Sequence, residues 1–141
     1  MPNGQQITNP RGAYGGTVRP AREVDSFKTS AAVAAKAVVA IATDGTYRVA
    51  TAATNGSASL CVGIVGDTAA ASGDQALVVT RGVVKSVPVD GAVSAGDILK
   101  RSVTTAGRLA ATASPAAGER FAVALAASAS NVVDVWVVQA L

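Results

Sequence analysis

Three observations predict an all-β fold. From residue 31 onward, short runs of Val and Ala are cut by Gly, Asp, Asn and Pro at intervals of roughly ten residues, the rhythm of a sandwich or barrel of short strands. Asp44-Gly45 sits between two such runs, a strong hairpin signal because a type I′ turn needs φ > 0 at both central residues. Half of the 141 residues are hydrophobic, with 31 Ala and 22 Val, while the net charge is only +3. A chain so rich in β-branched residues and so weakly charged folds rather than staying disordered, and its length suits one domain.

Residues 1–30 hold Pro2, Pro10 and Pro20, four glycines and no sustained apolar period, so they read as an extended Pro/Gly-rich N-terminal arm rather than a packed element. Arg11, Tyr14, Arg19, Arg22 and Phe27 are its candidate partner contacts, the aromatics as anchors and the arginines as polar groups. A single β domain is expected over residues 31–141. Residues 31–36 stay open between strand and a helical turn capped by Ser30, because alanine has the highest helix propensity. From about Ala37 the β-branched Val38, Val39 and Ile41 favour strand. A two-residue Asp44-Gly45 loop would set Ala42 opposite Tyr47 and Ala40 opposite Val49.

Further strands are expected at Leu60–Val65, Ala76–Thr80, Val83–Val89, Ile98–Val103, Arg108–Thr112, Arg120–Ala126 and Val132–Val138, with a hairpin turning at Thr105-Ala106-Gly107. Alternation puts Phe121, Val123 and Leu125 on one face and Ala122, Ala124 and Ala126 on the other, an all-Ala face that would admit a neighbouring strand. In the last strand Val133, Val135 and Val137 share a face opposite Asp134 and Trp136, which makes Trp136 a half-exposed candidate for partner binding. Ser72-Gly73-Asp74, Ala95-Gly96-Asp97 and Ala117-Gly118-Glu119 each precede a strand. Glycine supplies φ > 0 there and the carboxylate can accept turn N–H bonds, so a repeated corner is expected.

Little catalytic chemistry is on offer. The chain has no histidine, which removes Ser-His-Asp triads, Cys-His pairs and His-ligated metals. Cys61, the only cysteine, lies in an apolar run as a small buried hydrophobe. Gly63-Ile64-Val65-Gly66-Asp67 lacks the endings of phosphate or dinucleotide loops, and Asp67, Asp74, Asp90 and Asp97 lack EF-hand spacing. No cofactor and no enzymatic activity are expected. The longest apolar stretch, Ala31 to Ala42, is broken by Lys36 and falls short of the roughly 20 residues of a spanning helix. The N-terminus reads as carrying no signal peptide, so synthesis in the cytoplasm is expected. Twelve interspersed basic residues without stacking aromatics give no reason to expect direct nucleic-acid binding.

Val87-Pro88-Val89-Asp90-Gly91-Ala92-Val93 followed by Ala95-Gly96-Asp97-Ile98-Leu99 resembles half of the β-hammerhead of biotinyl and lipoyl carrier domains. Lys85, however, lies between Val84 and Ser86 inside a strand and not at a hairpin tip, so the likeness is one of turn geometry. A wider match runs over about residues 31–141. It comprises Val62-Gly63-Ile64-Val65, Gly73-Asp74, Ala76-Leu77-Val78-Val79-Thr80-Arg81-Gly82-Val83-Val84, Val93-Ser94-Ala95-Gly96-Asp97-Ile98-Leu99, Gly107-Arg108-Leu109 and Phe121-Ala122-Val123-Ala124-Leu125 before a final Val strand. In order, spacing and composition this resembles the capsid decoration (cement) proteins of tailed bacteriophages. The resemblance implies a small antiparallel β-barrel or β-tulip-like domain, usually a homotrimer, seated on the outer capsid surface of the virion with the major capsid protein as partner. Another β-rich binding or carrier module, or a phage tail or assembly component, is the alternative reading.

Overall fold

The computed structural model describes residues 22–55, 61–116 and 119–138. These form nine strands and no helix: β1 Arg22–Thr29, β2 Val38–Ile41, β3 Arg48–Thr51, β4 Cys61–Val65, β5 Gln75–Asp90, β6 Ile98–Arg101, β7 Leu109–Ala111, β8 Ala122–Ala124 and β9 Val132–Val137. The all-β expectation holds. The two strands expected at 76–80 and 83–89 are one 16-residue strand, because Gly82 (φ +114°) and Ser86 (φ +55°) absorb the irregularities without ending it.

The pairings close into two five-stranded circuits that share β5. In the first unit β5 pairs with β1, β1 with β3, β3 with β2, β2 with β4, and β4 returns to β5. In the second β5 pairs with β7, β7 with β6, β6 with β8, β8 with β9, and β9 returns to β5. Contrary to the antiparallel expectation, β1–β3 and β5–β7 are parallel. In both units the strand entering the hairpin pairs with the hairpin's second strand, which runs in the same direction, so that pairing is parallel.

The two units are structural repeats. Val39↔Thr51, Ala40↔Ala50 and Ile41↔Val49 in the first hairpin become, on adding 60 to each number, Leu99↔Ala111, Lys100↔Ala110 and Arg101↔Leu109. Thr29↔Val49 likewise becomes Val89↔Leu109. The bond from Ala42 N–H to the Arg48 carbonyl becomes that from Ser102 N–H to Arg108, at 2.8 Å in both. Lys36 and Gly96, 60 apart, both have positive φ, +65° and +89°.

Several expectations need correction. Ala40 faces Ala50, with Ile41 opposite Val49, one residue off the expected register, and the loop spans residues 43–47. The Asp44 carboxylate accepts the Thr46 N–H (3.0 Å) and hydroxyl, which widens the turn, and Tyr47 then takes φ +56°. Residues 31–36 form no helix; Val33 bridges Ala70 instead. Arg22–Thr29 is extended as expected but belongs to the sheet through seven pairings with β5. Ala122 and Ala124 point into the protein's own core rather than toward a neighbour, leaving Val123 and Leu125 outward. Phe121, expected to share a face with Val123 and Leu125, is buried just ahead of the strand while those two face outward.

Two clusters fill the fold. Val33, Val39, Val49, Val65, Ala70, Ala76 and Val78 pack inside the first ring. The larger cluster holds Leu99, Leu109, Phe121, Val133, Val135 and Val137 of the second unit and also Val38, Ile64 and Val79, which point out of the opposite faces of first-unit strands. Alternate side chains of β2, β4 and β5 thus feed different cores. The repeated corner is present. Asp74, Asp97 and Glu119 accept N–H bonds from Ala71 (3.2 Å), Ser94 (2.8 Å) and Ala116 (2.8 Å), each three residues back, with Gly73 (φ +86°) and Gly96 (φ +89°) in the left-handed region.

Candidate partner-binding surfaces

Of the residues marked as partner contacts, Arg11, Tyr14 and Arg19 lie outside the described residues. Trp136 is 49% exposed on β9, opposite Val83 of β5 and Val123 of β8. Directly opposed residues on a sheet have Cβ atoms about 5 Å apart, so these three make a continuous apolar stripe, with exposed Leu125 one repeat further along β8's outward face. The stripe exists because the second unit fills its interior with alternate Val residues and leaves the other face of β9 to Asp134 and Trp136.

Arg22 is exposed at the start of β1, beside Gly82. With Val24 and Leu77 it lines a groove of about 450 Å³, walled by the Gly66–Ala69 loop. Leu77 is 63% exposed there. Phe27 is half-buried against the first unit's core, opposite Ala76. Sequence reasoning missed Leu77 and the 91% exposed Tyr47. Tyr47 lies two residues after the Asp44-Gly45 pair, a signal that could have marked it as a tip residue.

The polar clusters are architectural. Ser102, almost fully buried, donates to Asp90, and its oxygen accepts the N–H groups of Thr104 (2.9 Å) and Thr105 (3.0 Å). Arg108 pairs with Asp90 at 3.3 Å. Partial burial pushes the Asp90 carboxyl up, but hydrogen bonds from Ser102, Thr105 and Arg108 outweigh it and hold it below the usual carboxylate range. The Ala116 N–H and then Lys100 lower Glu119 in the same sense, and Thr46 lowers Asp44. Lys36 joins the two units: its ammonium pairs with Asp67 (3.1 Å) and donates to the Lys85 carbonyl (2.5 Å).

Burial pushes the Cys61 thiol up, with the charge of Arg101 opposing only in part, which disfavours the nucleophilic thiolate. Among the described residues no three His, Cys, Asp or Glu side chains gather as a metal site. The described surface offers an apolar stripe, a groove and an exposed turn.

No family model and no curated protein matches the sequence. Among solved structures the fold is similar to the N base of head fiber gp8.5 of bacteriophage phi29. That likeness has a TM-score of 0.57 and 14% sequence identity, and covers 84% of this chain and 95% of that one. It extends over nearly the whole of both chains and establishes a shared fold.

Proposed function

We propose that this chain is a structural protein of a phage virion that binds the outer surface of the assembled head and stabilises it. The observation that carries the reading is the fold shared with the base of a phage head fiber, reached independently of the sequence resemblance to capsid decoration proteins. The reading is non-catalytic: the described surface offers apolar area and hydrogen-bonding edges, and the carboxylates with lowered pKa serve turns.

The mechanism is linkage. A protein that binds only the assembled shell stabilises that shell by mass action. Three copies acting as a trimer would gain about 10²–10⁴ in avidity over one contact, so no single contact need be tight. The major capsid protein is the proposed partner, met by the stripe at Trp136 and by the segment preceding β1. The carrier alternative is weakened by Lys85, which lies in mid-strand with its carbonyl engaged by Lys36.

Electron microscopy of heads incubated with the protein tests the reading, with density expected on the outer shell where capsid subunits meet. Trp136→Asp, at a half-exposed site, should fold normally and lower occupancy. Deletion of residues 2–21, which leaves β1 intact, should do the same. Bare shells at saturating protein would overturn the proposal.

A further inference from the structure

The contact between the two units within one chain is directional. The turn of the second hairpin sits on the end of the first unit: the Gly107 carbonyl accepts the Val38 N–H and its own N–H donates to the Ala52 carbonyl, both at 2.9 Å. A Cβ on Gly107 would lie 2.8 Å from the Thr51 methyl and 3.4 Å from the Ala37 Cβ, and φ is +78°, so any side chain here must displace Thr51 and hold a left-handed backbone. Under this turn Ala37, Val38 and Ala52 are buried at 7%, 0% and 2% exposure.

The repeat assigns every part of that contact an equivalent. Moving on by 60 residues turns the seat Ala37, Val38, Thr51 and Ala52 into Asp97, Ile98, Ala111 and Thr112 on the second unit. Ala111 is exposed and the other three are only half-buried, whereas the first seat lies under the Gly107 turn. Moving back by 60 residues turns Gly107 into Tyr47, left-handed like its counterpart (φ +56° against +78°) and 91% exposed. The two ends have changed in step. Where the first seat has Thr51, whose methyl excludes a Cβ, the second has Ala111, which lacks that methyl; where the covering turn has glycine, the free turn has tyrosine.

We propose that the Tyr47 turn of one copy docks on the Ile98–Ala111–Thr112 end of a second copy, continuing between chains the contact the two units make within one. The interface is heterologous, so copies join head to tail and close where the rotation allows. Tyr47 brings aromatic area at low entropic cost, as interface tyrosines do. Within a chain the contact is held at high effective concentration; between chains it is not, so association is concentration-dependent in solution.

Sedimentation equilibrium of the isolated full chain tests this without any capsid, so its outcome is separate from that of the proposed virion role. The wild type should self-associate, and Tyr47→Ala and Ala111→Arg should each weaken association about tenfold or more. Both sites are exposed, and unchanged circular dichroism will show that the variants fold. Mixed together, the two variants retain one intact turn and one intact seat, so they should form dimers and nothing larger. A wild type that stays monomeric up to about 1 mM, a variant that associates like wild type, or a mixture that stays monomeric would each overturn the proposal.

Discussion

The two units carry the same ladder and fill it differently. Val39 and Val49 of the first stand where Leu99 and Leu109 stand in the second, all four fully buried. Val39 pairs with Gly63, whereas its counterpart Leu99 pairs with Ala122. At Gly63 a Cβ would meet the Val79 carbonyl oxygen at 2.4 Å and a Val78 methyl at 2.5 Å, so β4 lies closer to β5 than any side chain permits. Backbone pairing defines the circuit, and the side chains inside set how tightly it closes. The second core also takes in Val38, Ile64 and Val79, so it supports both units while the first core supports mainly its own.

That asymmetry can be broken by equivalent substitutions, read as unfolding free energy in denaturant. Leu99→Ala should have the largest effect, about 2–5 kcal/mol, and should unfold both units together. Val39→Ala removes less buried hydrocarbon, and at about 0.8 kcal/mol per methylene plus a small cavity it should cost about 2 kcal/mol. Equal losses at the two sites would mean that one core, not two, governs stability. Gly63→Ala should cost about 1–3 kcal/mol through overpacking, while Ala122→Gly should be milder because it creates no clash and removes only one buried methyl.

Acid should act more on the second unit. Asp90 and Glu119 both titrate below their ordinary range when folded, so they contribute stability above the unfolded carboxylate pKa near 4. That contribution is lost as pH falls through the folded values. Asp90→Asn should therefore lower stability at pH 7 and flatten its decline below about pH 4; an unchanged acid limb would remove Asp90 from the account. The smallest effect is expected at Lys36. Lys36→Gly relieves the left-handed backbone but loses the Asp67 pair, so its net change should be within about 1 kcal/mol, and Lys36→Ala should be the more destabilising of the two.

Local signals were legible where local chemistry acts. The Gly-Asp corners, the Thr105–Gly107 turn, the buried face of β9 and the half-exposed Trp136 all follow from alternation and from residues that tolerate positive φ. The 60-residue repeat leaves only a short trace in the sequence, Arg48-Val49-Ala50 against Arg108-Leu109-Ala110. The more visible echo is that of the corners, from Gly73 to Gly96 to Gly118, because turn chemistry is similar wherever a chain reverses. Of the candidate contacts, Arg22 and Trp136 are exposed, whereas Phe27 could not be told from a core residue by type alone.

Composition and alternation decided the β class, the narrow side-chain inventory and most of the places where the chain turns, since those depend on each residue and its immediate neighbours; the break expected between Thr80 and Val83 is continuous strand. Which strands pair parallel, that β5 belongs to both rings, and that the alanine face of β8 looks inward were decided only by closure in three dimensions. A strand's inward side is defined by what the rest of the chain places against it, and that information is spread over residues some 60 positions apart.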